Sequence, residues 1–510
     1  MAAALLKNSI LVTILLTGGK LFSFLRDIVI SACYGASDST DAYFAANNIP
    51  TILFTAFITS LLMFFIPIYV ERREKAGQDA AECFMSNLLN IFLPLTVLLS
   101  IGGVIFSDFL VHLAAPGFTG EKLTLTVMLS RLMCLSFPFS LLMLLFASYV
   151  NARGYFAISQ TTALVSALVV IAGVWFGSAH FGIWALIYSA LAAAVINTVL
   201  QFFSARRFYR HRWVFEPRSA EIRKMCILAF PIFIGLTADE INIFVNGMIC
   251  SFLSGNALSC LNYSQRLILT VNGTVVTGVL TVLYPQLAAM VAKNDFSQIV
   301  QIVNKSIVLI LIGLTPVFLI LFLHSREIIR LVYYRGAFDE NALVETSLLL
   351  ACYAIGIIFM AFREFFTRIF YAMQNAKTPA IIGVLGVGVN IICSLILVRF
   401  FKVQGLAVAA VFSSALSAFL LFIWIRKQLS AIGWKPIVIG PRAGIALFTA
   451  VSGMIATWFV LHFLLDMGRT HVTFLAALLI ELVVYVILVL SFRLEEINFL
   501  TTKIWKRKNV

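Results

Sequence analysis

Long apolar runs separated by short polar breaks are the feature that most constrains this chain. A helix that crosses a bilayer needs about 20 mainly apolar residues, and such runs follow one another along all 510 residues. With 61% hydrophobic and 12% charged residues, the chain has too few polar side chains to cover a water-facing surface. Because lipid offers no hydrogen bonds, each run must satisfy its own backbone, which favours helices. We therefore predict an all-α polytopic membrane protein and exclude an ordinary soluble one.

The spans are placed by cutting the chain where polar or turn residues interrupt the apolar runs. This predicts about fourteen transmembrane helices, at residues 7–34, 40–69, 82–112, 122–150, 157–177, 182–204, 225–252, 258–291, 298–324, 340–372, 379–400, 404–425, 441–465 and 472–492. An even number of spans places both termini on one side of the membrane.

Basic residues concentrate in the loops on the side of the termini, and the positive-inside rule makes that side cytoplasmic. The net charge of +14 is thereby explained by topology, so we predict no nucleic-acid partner. We expect a multi-pass protein of the bacterial inner membrane with both termini in the cytoplasm. The densest basic loop contains Arg206, Arg207, Arg210, Arg212, Arg218, Arg223 and Lys224.

A weak internal repeat indicates two related halves, as is common in transporters. Asn151-Ala152-Arg153 follows one predicted helix as Asn375-Ala376-Lys377 follows another, and Pro67 matches Pro285 in a second pair of segments. We predict two parallel six-helix repeats plus two C-terminal helices. The predicted domains are an N-terminal lobe at 1–204, a basic cytoplasmic linker at 205–224, a C-terminal lobe at 225–426, helices 13 and 14 at 427–492 and a basic tail at 493–510.

Ionisable residues inside spans are costly, so they should face a cavity or a partner. The candidates are Lys20, Arg26, Asp27, Asp41, Arg131, Asp239, Glu240, Arg266, Arg363, Glu364, Arg368 and Glu481. Because basic members occur in both halves, a central cleft lined with cations would hold an anionic group, and the forked arginine donors suit a pyrophosphate. We select Lys20, Arg26, Asp27, Asp41, Arg266, Arg363 and Arg368 as candidate substrate-binding residues.

Structural interpretations of the same charges stay open. Arg26 and Asp27 would form an ion pair, Asp41 would cap the helix that begins near it, and Glu364 would pair with Arg363 or Arg368. Arg131 and Glu481 would reach a membrane interface.

The sequence carries no phosphate loop, HExxH or GxSxG motif, which favours a transporter over an enzyme. The eight cysteines form no CxxC pair, and the six histidines are spread over helix edges and loops. We therefore predict no catalytic residue, no metal site and no cofactor, with a sodium ion or the membrane potential as the driving force.

Two motifs resemble the MurJ/MviN family of lipid II flippases in the MOP exporter superfamily. They are FSFLRDIVISACYGASDSTDAYFAANNIP at residues 22–50 and YRGAF at residues 334–338. Weaker matches follow in the family's order at residues 151–153, 266–285, 370–372 and 377–379. The resemblance spans essentially the whole chain.

The resemblance implies a fourteen-helix flippase that moves an undecaprenyl-pyrophosphate-linked peptidoglycan precursor to the outer leaflet by alternating access, with helices 13 and 14 forming a groove for the lipid tail. It assigns functional roles to Arg26, Asp27, Asp41 and Arg266, with Lys20 where the family usually has arginine. It also implies a candidate cation site that includes Asp239 and Asn390. Ser394 stands at the position where the family's sodium site has a second acidic residue. The implied partners are the polyprenyl-pyrophosphate-linked glycan, membrane lipids and cell-wall synthesis proteins.

The sequence departs from the family pattern in the predicted helix 40–69, where the pattern LRRxFAEGAF has two arginines and a glutamate. Here Leu53-Phe54-Thr55-Ala56-Phe57-Ile58-Thr59 carries no charge. Another polyprenyl-linked oligosaccharide, such as an O-antigen or capsule unit, is therefore the alternative substrate. A cation-coupled drug antiporter would require a more acidic pocket, and a membrane scaffold would leave the buried charges unexplained.

Overall fold

The computed structural model describes residues 2–273, 296–373, 375, 377–430, 441–465 and 471–494. In chain order the helices are α1 (Ala2–Tyr34), α2 (Asp38–Pro50), a π-helical turn (Thr51–Thr55), α3 (Ala56–Leu62), α4 (Phe65–Ile105), α5 (Ser107–Ala114), α6 (Gly120–Cys134), α7 (Phe137–Ala152), α8 (Phe156–Ser159), α9 (Thr161–Phe181), α10 (Trp184–Arg206), α11 (Ala220–Ser251), α12 (257–273), α13 (Phe296–Leu323), α14 (Ser325–Val332), α15 (Glu340–Ala372), α16 (Lys377–Phe401), α17 (Gln404–Ser430), α18 (Pro441–Phe459), a second π-helical turn (Val460–Leu464) and α19 (His471–Ser491).

The predicted all-α polytopic membrane fold is confirmed. Within the described ranges there is no strand, and eleven helical segments are long and apolar enough to cross a membrane. Large apolar side chains face outward from these helices: Phe176 is 77% exposed and Phe448 is 74% exposed. Such a surface suits lipid rather than water. The count of fourteen spans stays a prediction.

Several predicted spans are broken, and proline marks two of the breaks. Within the predicted helix 40–69, α2 ends at Pro50, which has no backbone N–H for the helical hydrogen bonds. A π-helical turn follows. By contrast, Gly77 has φ 84° and interrupts α4 between the predicted helices 40–69 and 82–112, where a break was expected. The predicted helix 122–150 is divided into α6 and α7, with Pro138 in the first turn of α7.

Contacts divide the chain into two compact units. The first comprises Met1–Asn262 and Tyr333–Ala342, and the second comprises Tyr263–Val332 and Leu343–Val510. The predicted lobe boundaries remain predictions, because a packing unit and a sequence repeat need not coincide.

The core of the first unit is built from helix pairs whose apolar faces meet. Helix α1 packs on α9, α9 on α10, α10 on α7, α4 on α7 and α2 on α6. Phe65, Tyr69 and Tyr149 are fully buried aromatic side chains in this core, and the rings of Tyr69 and Tyr149 meet edge to face at 5.5 Å. Aromatic pairs of this kind fix the helix register beyond simple apolar burial.

The second unit has a core around α13, α15, α16 and α17, which includes the buried Phe365 and Phe370. Helices α18 and α19 pack on each other and on α13. The Tyr485 hydroxyl of α19 donates a hydrogen bond of 2.9 Å to the Ile312 carbonyl of α13. This contact fastens the C-terminal helices to the rest of the unit.

The predicted basic linker is docked on α4 of the first unit. Arg212 Nη2 lies 2.8 Å from Asp79 Oδ1, and Lys224 Nζ lies 2.6 Å from Glu71 Oε2. The Tyr209 hydroxyl lies 2.9 Å from Ser86 Oγ and 3.0 Å from His211 Nδ1. Burial raises the pKa of Tyr209, so this hydroxyl stays protonated and holds the linker over a wide pH range.

Some predicted features lie outside the described residues. They are the second half of the predicted helix 258–291 with Pro285, the part of 427–492 at residues 431–440 and 466–470, and the basic tail from residue 495. The side chain of Asp239 is likewise outside the description, although its backbone belongs to α11.

Candidate functional site

A cavity of about 350 Å³ lies inside the first unit, among α2, the following π-helical turn, α3, α6, α7, α9 and α10. None of the described residues that line it carries a charge. Apolar side chains form most of its wall, and a set of hydroxyl and amide groups interrupts that wall. The polar set includes Asn47, Thr51, Thr55, Ser136, Ser140 and Ser166.

Three hydroxyl groups of this cavity donate their protons to backbone carbonyls. The Thr51 hydroxyl donates to the Asn47 carbonyl at 2.8 Å, and the Ser136 hydroxyl donates to the Met133 carbonyl at 2.7 Å. The Ser140 hydroxyl donates to the Ser136 carbonyl at 3.1 Å. Because these three protons are used on backbone carbonyls, the three oxygens remain available as acceptors for a ligand. A wall of uncharged hydroxyl and amide groups suits a neutral polar group better than an anion.

The uncharged stretch at residues 53–59, within the predicted helix 40–69, forms part of this wall. Phe54, Thr55, Ile58 and Thr59 all line the cavity, so the departure noted in the sequence falls on cavity-lining positions. The π-helical turn at Thr51–Thr55 widens the helix at this point, and such turns occur often at functional sites. The cavity is therefore neutral at positions where the resembled family pattern is charged.

Arg26 and Asp27 pair with each other on α1. Arg26 Nη2 lies 2.9 Å and Nε 3.1 Å from Asp27 Oδ1. The Arg26 side chain keeps 24% of its surface exposed, whereas that of Asp27 keeps 9%. Arg26 thus retains donors that Asp27 does not occupy, and these can meet an anionic group.

Asp41 holds three segments of the first unit together. Lys122 Nζ of α6 lies 2.8 Å from Asp41 Oδ2, and the Ser259 N–H of α12 donates to Asp41 Oδ1 at 2.8 Å. The Ser259 hydroxyl donates to the same oxygen, and Lys122 also bonds Asp38 at 2.8 Å. Asp41 is not the helix cap, since Ser37 caps α2. These contacts favour a structural role for Asp41 in this unit.

The two most specific sequence motifs contact each other. The Ala337 N–H donates to the Ala32 carbonyl at the end of α1 at 2.9 Å. Gly35 and Gly336 both have φ 61°, a left-handed value that favours glycine. A Cβ on Gly336 would overlap the Ala32 carbonyl, and one on Gly35 would overlap the Ala337 carbonyl. The YRGAF loop is therefore interlocked with the end of α1.

The remaining predicted substrate-binding residues are divided between the units. Lys20 is exposed on α1 in the first unit. Arg266, Arg363 and Arg368 belong to the second unit, where Arg266 and Arg363 are half-buried. Arg368 Nη2 lies 3.3 Å from Glu364 Oε1, and both side chains are substantially exposed. Their binding roles stay predictions.

The residues of the predicted cation site are only partly described. Asn390 and Ser394 are buried on successive turns of α16, with the Ser394 hydroxyl 3.4 Å from Asn390 Oδ1. This pair satisfies itself within one helix. Sodium coupling through Asp239, Asn390 and Ser394 stays a prediction.

The neutral cavity was not predicted from the sequence, because the candidate residues were the charged side chains within the spans. A usable signal was present: Thr51, Thr55 and Thr59 recur every fourth residue, which places their side chains on one helix face. The serines from α7 and α9 that complete the wall are far away in sequence, and only folding brings them to it.

A sequence model of the family described as lipid II flippase MurJ matches residues 30–492. The chain belongs to the MurJ family. This confirms the resemblance carried by residues 22–50 and the YRGAF loop. Among curated MurJ relatives, a probable lipid II flippase MurJ of Buchnera aphidicola subsp. Baizongia pistaciae is 25% identical over 480 residues, which cover 92% of each chain. One of Rhizobium tropici is 27% identical over 425 residues, covering 81% of this chain and 79% of the relative.

Solved structures show the same fold. A lipid II flippase MurJ in an inward closed conformation superposes with a TM-score of 0.81 at 23% identity, covering 94% of this chain and 98% of that chain. An inward-facing multidrug resistance MATE family transporter of the MOP superfamily superposes at 0.70 with 14% identity, covering 81% of this chain and 95% of that chain. The fold of this MurJ-family chain is thus shared with MATE transporters, so fold alone does not identify the substrate.

Proposed function

We propose that this chain is a flippase that moves the undecaprenyl-pyrophosphate-linked peptidoglycan precursor, lipid II, from the inner to the outer leaflet by alternating access. It acts in the bacterial inner membrane, with both termini in the cytoplasm. The observation that carries the proposal is the family match over residues 30–492. The apolar helices supply the multi-pass membrane body that such transport requires.

Arg26 is the residue of the first unit best suited to contact the pyrophosphate. Its planar guanidinium has five N–H donors in a fixed fork, which matches a phosphate. Asp27 occupies part of that fork and keeps the arginine charge balanced inside the membrane. A phosphate oxygen would take the remaining donors or replace Asp27. Arg266 is the corresponding candidate in the second unit.

Growth of a flippase-depleted bacterium tests the proposal. We expect the wild-type chain to restore growth, because the proposed activity would replace the depleted one. Arg26→Ala and Arg266→Ala should each lose most of the transport while reaching wild-type levels in the membrane. Arg207→Ala removes an exposed arginine just beyond α10 and serves as the control that should support growth.

Transport itself is measured with fluorescent lipid II in vesicles that contain the purified protein. No growth and no lipid II transport by the wild-type chain would overturn the proposed substrate. Undiminished transport by both arginine variants would overturn the proposed contact with the pyrophosphate and leave the substrate standing.

The neutral cavity supports a second candidate, a flippase for another polyprenyl-linked oligosaccharide. Its uncharged wall of hydroxyl and amide groups suits a hydroxylated sugar better than a pyrophosphate. We infer that this cavity receives an uncharged sugar group of the lipid-linked glycan. The two candidate substrates share the pyrophosphate and the polyprenyl tail and differ in the sugars. Growth of strains lacking an O-antigen or capsule flippase distinguishes them from lipid II.

Filling the cavity tests the role of its wall. Ala190 of α10 lines the cavity, so Ala190→Trp should occupy much of it and reduce transport at least tenfold. Ala192, on the exposed side of the same helix, gives the matched control Ala192→Trp, which should transport normally. Equal transport by the two tryptophan variants, at equal amounts in the membrane, would show that the glycan does not enter this cavity.

A further inference from the structure

Three ionisable side chains meet in the second unit, and none of them is among the predicted substrate-binding residues. His324 directly follows α13, His462 lies in the π-helical turn after α18, and Glu481 lies in the middle of α19. One ligand atom from each residue lies within 4.8 Å of the others. Within the described part of the chain, this is the group of His, Cys, Asp and Glu side chains that is close enough to share a metal ion.

Two side chains of this cluster are fully buried, so any charge that they carry costs solvation free energy. The side chains of His324 and Glu481 are 0% exposed, and His324 Nε2 lies 2.9 Å from Glu481 Oε2. A buried carboxylate requires a compensating positive charge and further hydrogen bonds. Phe474 meets the His324 ring edge to face at 5.5 Å, and Trp458 stacks on His462 at 5.8 Å. These aromatic neighbours lower the local polarity and strengthen the demand for a cation.

Two imidazole nitrogens in this cluster have no partner among the described residues. They are His324 Nδ1 and His462 Nε2, and both are buried atoms. The two rings lie only 4.8 Å apart, centre to centre. Buried polar atoms are nearly always hydrogen-bonded or bound to an ion. The unpaired nitrogens therefore point to a ligand that the side chains alone do not supply.

We propose that His324, His462 and Glu481 form a binding site for a divalent transition-metal cation of the zinc class. Two imidazoles and one carboxylate are a common ligand set for zinc, with a fourth position for water. An all-oxygen site would be expected for magnesium or calcium. His462 is half-buried, so the fourth position opens on its side. This proposal replaces the sequence-based prediction of no metal site.

The geometry requires only a small adjustment to bind the ion. Ligand atoms about 2.0 to 2.1 Å from a tetrahedral zinc ion lie about 3.4 Å from each other, against at most 4.8 Å here. Rotation of the His462 ring, which sits in a π-helical turn and not in a regular helix, brings its nitrogen closer. The bound ion would join α13 to both α18 and α19, beside the Tyr485 hydrogen bond that already links two of them.

Metal binding by the purified full-length protein in detergent tests this proposal. After chelation and dialysis, we expect one equivalent of Zn²⁺ to bind, and Co²⁺ to produce the visible absorption of a four-coordinate site. His462→Ala should weaken zinc binding by about 100-fold or more, since even outer-shell partners are worth 10- to 100-fold. His180→Ala removes an exposed histidine at the end of α9 and should bind zinc as the wild type does.

Thermal unfolding gives a second measurement. Zinc should raise the unfolding temperature of the wild type and of His180→Ala, but not that of His462→Ala, because only a bound ion stabilises by mass action. Glu481→Gln should behave like His462→Ala. Equal zinc binding by His462→Ala and the wild type, or no zinc binding by the wild type, would overturn the proposal and leave a hydrogen-bonded His324–Glu481 pair.

Discussion

Lys122→Met is expected to lower the free energy of unfolding by about 3 to 5 kcal/mol, the usual cost of removing one partner from a buried ion pair. The Asp41 side chain is 4% exposed, and Lys122 Nζ lies 2.8 Å from its Oδ2. Without that ammonium, Asp41 keeps the donors of Ser259 but loses its compensating charge. The contacts among α2, α6 and α12 should loosen together, because all three segments meet at this carboxylate.

Thermal unfolding of the purified protein in detergent measures this effect. The double variant Asp41→Asn with Lys122→Met removes the buried charge together with its partner and should recover much of the loss. Lys75→Met breaks the exposed pair of Lys75 with Glu71, which contributes little to stability because water and salt screen it, and serves as the control. A Lys122→Met protein as stable as Lys75→Met would contradict the structural role of Asp41.

Gly336→Ala is expected to destabilise the first unit by about 2 to 4 kcal/mol. A left-handed backbone costs a residue with a Cβ roughly 1 to 2 kcal/mol, and the new Cβ would overlap the Ala32 carbonyl. The loop must then move, which breaks the hydrogen bond from Ala337 to Ala32, worth about 0.5 to 1.5 kcal/mol. Phe338, which is 3% exposed in the same loop, would shift with it.

Limited proteolysis and thermal unfolding together detect the displaced loop. We expect new cleavage near residues 333–338 and a lower unfolding temperature for Gly336→Ala. Gly102→Ala in α4 is the matched control, because a Cβ there meets nothing within 4 Å and the backbone is helical. Identical behaviour of the two alanine variants would show that the YRGAF loop tolerates a side chain at Gly336.

Local chemistry made the apolar spans and the family predictable from sequence. The span 340–372 agrees with α15 at both ends, and 404–425 begins where α17 begins, because each run is long and apolar and ends at polar residues. The break at Gly77 falls between the predicted helices 40–69 and 82–112, whereas the break at Pro50 was not predicted. Both residues are visible in the sequence, but whether a break becomes a π-helical turn, a kink or a loop depends on what packs against it.

The candidate sites show the limit of a sequence read one helix at a time. The sequence identified the charged residues within the spans as unusual, but it did not identify their partners. Lys122 lies far along the chain from Asp41, and His324 lies far along the chain from Glu481. The sequence by itself determined the membrane-spanning helices and the family, since apolar periodicity and short motifs are local properties. Only the tertiary structure decided which charges are neutralised, which hydroxyls share a cavity and which histidines meet, because burial and pairing depend on segments that folding alone brings together.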